Sequence, residues 1–289
     1  MNKVDEILKK IRKIDIRTRK LVNETFLGSY HSHFRGTGIE FSEVADYHYG
    51  DDIRTIDWNV TARVGSPYVK KFVESRELSL IVILDISASQ EYGSSGLSKR
   101  ELAAETAGVI AFSAIRNNDK VGLILTTDEV EFYLPPAKGF QHLYRLLREA
   151  LFFEPKHKGT RQDSGLEFLS SVFNRRQISF LISDFQGYTP GKIWKNTMRR
   201  HELVPIIISD PRETDILGRG IVECEDLESG ESHFFSLQTI SGEWKKKRQA
   251  DQKKLVREFR KIGQAFLDIE REETIVTKLQ AFFEKRKCA

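Results

Sequence analysis

A small set of oxygen-bearing side chains carries the chemistry that this sequence can support. Asp85, Ser87 and Ser89 form a D-x-S-x-S run, Thr160 follows Gly159, and Asp184 follows Ser183. Ser87, Ser89 and Thr160 offer hydroxyls, and Asp85 and Asp184 offer carboxylates. Hard oxygen donors of this kind suit magnesium, which wants octahedral geometry and keeps some of its waters; manganese and calcium use the same donor types. Zinc is a poor match, because no His or Cys stands within these motifs. Each piece also has a plain structural use. Ser87 and Ser89 can shape a tight strand-to-helix turn, and Thr160 can cap a helix N-terminus.

What would bring these residues together is an α/β sheet, because ligands of open α/β sheets sit at the carboxyl ends of the strands. Leu78 to Leu84 is a nearly continuous apolar run, the mark of a strand buried on both faces, and it leads directly into Asp85. Ser98-Lys99-Arg100-Glu101 reads as a capping box opening a helix to Asn117. Val121 to Thr126 is the next strand, and Val130 to Leu134 pairs with it as a hairpin that Pro135-Pro136 ends. Helices follow at 140–152 and from Thr160 to Asn174, then a strand at 177–183, a helix at 192–200 and a strand at 203–209. This alternation implies a mostly parallel sheet covered by helices on both faces, with Leu80 to Leu84 central. A β-hairpin insertion (strands 221–225 and 232–237) is expected within 211–240. After it come a basic helix at 242–266, with Leu255, Phe259, Ile262 and Phe266 on one stripe, a strand at 274–276 and a closing helix. At the other end, Val4, Ile7, Leu8, Ile11 and Ile14 place an amphipathic helix over 4–22. The expected organisation is thus an N-terminal helix and a loop-rich segment over 1–76, packed on an α/β domain over 77–289.

Composition narrows the function classes. The chain has 289 residues, 39% hydrophobic and 30% charged, a soluble globular composition with ample length for a core. No apolar run reaches the roughly 18 residues of a transmembrane helix, and the charged N-terminus has no signal-peptide apolar region. Two cysteines, Cys224 and Cys288, build no disulfide framework, so a reducing cytoplasm is the expected compartment. No G-x-x-x-x-G-K-[ST] phosphate loop and no G-x-G-x-x-G turn occurs, which argues against a P-loop ATPase or a dinucleotide site. Net charge is +4, but residues 243–289 hold 14 Lys and Arg against 8 Asp and Glu. These basic terminal helices read as solvated faces, with contact to an anionic membrane surface or nucleic acid as the alternative; no specific nucleic-acid motif is present.

The combination of D-x-S-x-S after a strand, Gly-Thr before a helix and Ser-Asp after a later strand resembles the metal-ion-dependent adhesion site of von Willebrand factor A domains, a Rossmann-like fold. The resemblance implies that Ser87, Ser89 and Thr160 bind magnesium directly, that Asp85 and Asp184 bind mostly through water, and that the open position takes a partner's carboxylate. Gly28-Ser29-Tyr30-His31-Ser32, Phe34-Arg35-Gly36-Thr37-Gly38-Ile39-Glu40-Phe41, and Tyr49-Gly50-Asp51-Asp52-Ile53-Arg54-Thr55-Ile56-Asp57-Trp58 with Ala62-Arg63 are similar to the signature of the bacterial "domain of unknown function fifty-eight" family. That resemblance covers nearly the whole chain and implies a short, soluble member. It also implies a MoxR-type AAA+ ATPase as partner and an adaptor or co-chaperone role. Ala45 stands where arginine is frequent in the family and Gln90 where methionine is frequent; neither removes a ligand.

Asp51, Asp52, Arg54, Asp57, Trp58 and Arg63 invite two readings. One is an internal ion-pair network that anchors the N-terminal segment; the other is a docking face for the ATPase. No nucleophile with a fixed base is apparent, so a non-enzymatic, metal-dependent protein-binding module is the leading expectation. A magnesium-dependent phosphohydrolase is the enzymatic alternative.

Overall fold

Six strands form the central sheet in the order β10-β7-β6-β3-β4-β5. The computed structural model describes residues 11–16, 18, 22, 30, 40–73, 79–94, 97–157, 159–210, 213, 220–225 and 232–287. In chain order the sheet strands are β3 (Ser79–Asp85), β4 (Lys120–Thr126), β5 (Val130–Ala137), β6 (Ile178–Ser183), β7 (Glu202–Ile208) and β10 (Leu267–Ile269). All pairs are parallel except β4 with β5. Leu80, Ile81, Val82, Ile83 and Leu84 are fully buried, as a strand covered on both faces requires. β3 stands between β4 and β6.

Helices cover both faces. On one, Ile81 and Ile83 pack with Leu166 and Leu169 of α4 (Gln162–Val172), Trp194 of α5 (Lys192–Arg200), and Leu255 and Phe259 of α6 (Leu237–Lys261). Phe185 stacks edge-on against Phe259 and Trp194 there. The other face carries α2 (Lys99–Arg116), which packs on α3 (Phe140–Phe152) and α7 (Ile275–Lys287). The capping box at Ser98 and Glu101 forms as the sequence indicates. Of the N-terminal helix, residues 11–16 and 18 are described; Ile11 and Ile14 are buried, and Val4, Ile7 and Leu8 lie outside the described residues.

Four expectations change. Pro135 and Pro136 do not end β5. The strand runs on to Ala137, because it is the sheet edge and the prolines fall where its register against β4 shifts. The last strand is Leu267–Ile269, paired with Ile206–Ile208, whereas Thr274 closes a 3-10 turn and Ile275 opens α7. The basic helix spans Leu237–Lys261, not 242–266. Gly263 at φ +68° ends it in a Schellman motif, with Gly263 N donating to Arg260 O and Gln264 N to Phe259 O. Leu255 and Phe259 are therefore core residues within the helix, while Ile262 and Phe266 join the same cluster from beyond its end. The fourth change is β1 (Glu40–Asp46), which pairs antiparallel with β2 (Tyr68–Val73) in a segment expected to be loop-rich.

By contacts the chain divides into two compact units, Phe34–Leu78 and the remainder. The smaller unit holds the β1–β2 pair, a 3-10 turn at Ile53–Thr55 and α1 (Trp58–Val64). In the larger unit, β8 (Ile221–Glu225) and β9 (Ser232–Ser236) form the expected antiparallel hairpin.

Candidate functional site

The direction of winding reverses at β3. The chain leaves β3 for β4 on one side and later returns to β6 on the other, so the crevice outside the carboxyl ends of β3 and β6 is the switch point of the sheet. Asp85 ends β3 and Asp184 follows β6 there. Asp85 is buried and held from two sides: Ser87 N donates to Oδ1 at 2.9 Å, and Ser183 Oγ donates to Oδ2 at 2.7 Å. Burial, and after it the negative charge of Asp184, raises the Asp85 carboxyl to about 6; the hydrogen bonds from Ser183 and Ser87 pull the other way. Ser87 Oγ stands 3.2 Å from Ser89 Oγ. Neighbouring oxygens around a cation with ligand distances of about 2.1 Å lie about 3 Å apart, so the hydroxyl pair and fixed carboxylate fit a hard divalent cation. Among the described residues no three His, Cys, Asp or Glu side chains converge as ligands, so a cation here would rest on hydroxyls and two aspartates.

Thr160 lies two residues ahead of α4, on a loop that Arg161 ties to the end of β4, its N–H donating to Thr127 O at 3.1 Å and its Nε to Asp128 O at 3.1 Å. The helix N-cap is Arg161, so capping is not the role of Thr160. Gln90, next to Ser89, is fully buried, and its amide Nε2 and Oε1 find no hydrogen-bond partner among the described residues.

Sequence reasoning missed Lys99. Its side chain is only 2% exposed, and its Nζ donates at 2.6 Å to both Asp184 Oδ2 and Glu213 Oε1. Burial alone would lower its pKa, but the charges of Asp184 and Glu213 outweigh burial and hold it above the ordinary lysine value. Gln186 Nε2 bridges the same carboxylates, at 3.1 Å to Asp184 and 3.3 Å to Glu213. Glu213 is held further by Arg248 of α6, and Trp244 Nε1 donates to its carbonyl at 2.8 Å. A cavity of about 300 Å³ opens beside Gln186, Glu213 and Arg248, floored by Phe185, Tyr188 and Leu255. The signal in the sequence was a broken rule: Lys99 and Arg100 occupy the first turn of a helix, where its dipole disfavours cations. Arg100 resolves its own conflict on the last turn of α3, donating to the Ala150 and Phe153 carbonyls, and it pairs with Glu91 at 2.9 Å.

Asp51, Asp52 and Asp57 of the smaller unit serve local turns. Asp51 accepts from His48 N at 2.8 Å, Asp52 from Arg54 N at 3.0 Å, and Asp57 caps α1 through Asn59 N and Val60 N. The cation beside Asp57 is Lys70, at 3.5 Å, rather than Arg54 or Arg63. The Val60 hydrogen bond, more than any other contact, holds the Asp57 carboxyl below its ordinary value. Trp58 is exposed, with Tyr49, Ile53 and Val64 exposed in the same unit.

Residues 43–254 match the family model described as "Protein of unknown function DUF58". The chain belongs to the DUF58 family. The matched span of this DUF58 protein includes Asp85, Ser87, Ser89, Lys99, Thr160, Asp184 and Glu213. It is 27% identical over 284 residues to "Uncharacterized protein Rv1480" of Mycobacterium tuberculosis and to "Uncharacterized protein Mb1516" of Mycobacterium bovis, covering 96% of this chain and 89% of each relative. Among solved structures it is similar to the conserved hypothetical protein BatB from Bacteroides thetaiotaomicron. That match has 15% identity and a TM-score of 0.48, and covers 73% of this chain and all of that one. A von Willebrand factor type A protein from Catenulispora acidiphila matches with 12% identity and a TM-score of 0.40, covering 73% of this chain and 43% of that one. No helix among the described residues is long and apolar enough to cross a membrane.

Proposed function

We propose that this DUF58 protein is a non-enzymatic, metal-dependent protein-binding module. Ser87, Ser89 and Thr160 would hold magnesium directly, and Asp85 and Asp184 would hold it through water. The observation that carries this reading is the Ser87–Ser89 hydroxyl pair, 3.2 Å apart, over a buried carboxylate that Ser183 and Ser87 lock in place at the switch point of the sheet. A magnesium among neutral hydroxyls stays electrophilic and supplies an attractive open position for an anionic oxygen, which a partner protein offers as Asp or Glu. The chain's own part is to fix the donors: Ser183 orients Asp85, and the tie from Arg161 to Thr127 places the Thr160 loop.

Binding rather than turnover is favoured by Asp85 itself, whose two oxygens are both engaged by internal donors and so are poorly placed to take a proton from a substrate. The family resemblance names a MoxR-type AAA+ ATPase as the partner and a cytoplasmic adaptor or co-chaperone as the role. Of the six residues expected to dock, Arg54, Trp58 and Arg63 remain to meet it, since Asp51, Asp52 and Asp57 are engaged in local turns. The test is co-precipitation with a MoxR-type AAA+ ATPase, with magnesium and with EDTA, for wild type and Ser87→Ala/Ser89→Ala. Magnesium-dependent capture by wild type alone supports the reading, and equal capture in all conditions contradicts it.

A further inference from the structure

Lys99 is a buried cation inside a site read as a cation site, which is an unusual charge to place there. Its ammonium is 2.6 Å from Asp184 and 2.6 Å from Glu213, with Gln186 bridging both carboxylates and Arg248 on the far side of Glu213. Among the described residues, the charges that these contacts join, with Asp85 beside Asp184, are Asp85, Asp184 and Glu213 against Lys99 and Arg248, one negative charge in excess. We propose that Lys99 sets the charge balance of the site, weakening its hold on the divalent cation and leaving the occupied centre net positive so that it selects an anionic oxygen from the partner. This inference rests on the metal-dependent reading above.

The physical argument is a count of charges at close range. One negative charge cannot neutralise a divalent cation, so the filled site keeps a positive excess that an incoming carboxylate relieves. Without Lys99 the site would hold two negative charges in excess. It would then bind the metal more tightly, and the filled centre would be neutral and indifferent to carboxylates. Buried charges in a low-dielectric crevice are poorly screened, so a unit change is worth at least about tenfold in affinity. Lys99 also fixes the orientation of Asp184, whose Oδ2 accepts from Lys99 Nζ and Gln186 Nε2 while its Oδ1 accepts from Gln186 N at 3.3 Å.

Calorimetric titration with magnesium chloride tests this on wild type, Lys99→Met and Glu213→Gln, which give two, one and no excess negative charges in the order Lys99→Met, wild type, Glu213→Gln. The expected result is magnesium affinity about tenfold or more above wild type in Lys99→Met and several-fold below it in Glu213→Gln. Added acetate should strengthen magnesium binding in wild type and not in Lys99→Met. A purely structural strut would weaken both variants, and affinity unchanged or lowered in Lys99→Met overturns the proposal. If removing the buried lysine prevents folding, Glu213→Gln is read with acetate: acetate should strengthen its magnesium binding more than wild type's, and an acetate effect no larger than wild type's, or affinity equal to or above wild type, overturns the proposal. Wild type that binds no magnesium defeats the metal-dependent reading and this inference with it, whereas wild-type binding with unordered variants defeats only the inference.

Discussion

Gly165→Ala tests the packing that positions the Thr160 loop. Gly165 lies in α4, against β3 and β4, where a methyl group would come 2.5 Å from Ile83 Cγ2 and 3.1 Å from Thr126 Cγ2. Neither neighbour can give way cheaply: Ile83 is β-branched and fully buried in the central strand, and Thr126 is buried. Overpacking of this kind costs about 1–3 kcal/mol, and the intrinsic gain from replacing a helical Gly with Ala returns about 0.5–1 kcal/mol. The expected net effect is a loss of about 1–2 kcal/mol in urea unfolding. Because α4 must tilt off the sheet to accept the methyl, the loop carrying Thr160 and Arg161 moves with it, and magnesium affinity should fall as well. Gly242→Ala is the control: Gly242 lies in α6, is exposed, and has nothing within 4 Å of an added methyl, so the same substitution should stabilise by about 0.5–1 kcal/mol. A Gly165→Ala protein as stable as wild type would refute the close approach of α4 to β3.

Two further outcomes follow from the fold. Deleting residues 243–289 removes Leu255 and Phe259 from the core and strips β10 from the sheet, exposing the edge of β7; the truncated chain should aggregate, and a soluble, cooperatively melting product would contradict the packing. His201 is buried with Nδ1 accepting from Gln177 N at 3.3 Å, and burial, then the charge of Arg200, lowers its pKa. Below the ordinary histidine value of about 6.5 the unfolded chain takes up the proton first. Stability should therefore hold above that pH and fall as pH drops through it, and His201→Gln should remove that slope in urea midpoints measured across pH 5–8.

Much of the larger unit could be read from the sequence, because buried parallel strands announce themselves. Leu80 to Leu84 has no residue that tolerates water on either face, and Asp85 and Ser87 follow at its carboxyl end, where an α/β sheet lines its crevice. The Ser98–Glu101 capping box fixed the start of α2 by local chemistry alone. Signals that depend on tertiary neighbours misled. Pro135-Pro136 stops a strand only where both edges must be hydrogen-bonded, and β5 has one free edge. Leu267–Ile269 is too short to carry a pattern of its own and is a strand only because β7 offers its edge. The aspartates of the smaller unit looked like partners for Arg54 and Arg63, yet backbone N–H groups at turn distance compete better for a carboxylate than a flexible guanidinium does. Lys99 and Glu213 are 114 residues apart, and no local pattern joins them. The one local clue was a lysine at the wrong end of a helix dipole.

The most direct test of the account is calorimetric titration of magnesium chloride into wild type, Ser87→Ala/Ser89→Ala and Asp85→Ala, with thermal melts of all three. The account predicts saturable binding to wild type and a loss of about 10–100-fold or more in the variants, as for changes to groups that ligate a metal or orient its ligands. Melts without metal should be near wild type, because removing Asp85 relieves its repulsion with Asp184. Identical heats in all three proteins would contradict the account and return the search for function to Arg54, Trp58 and Arg63.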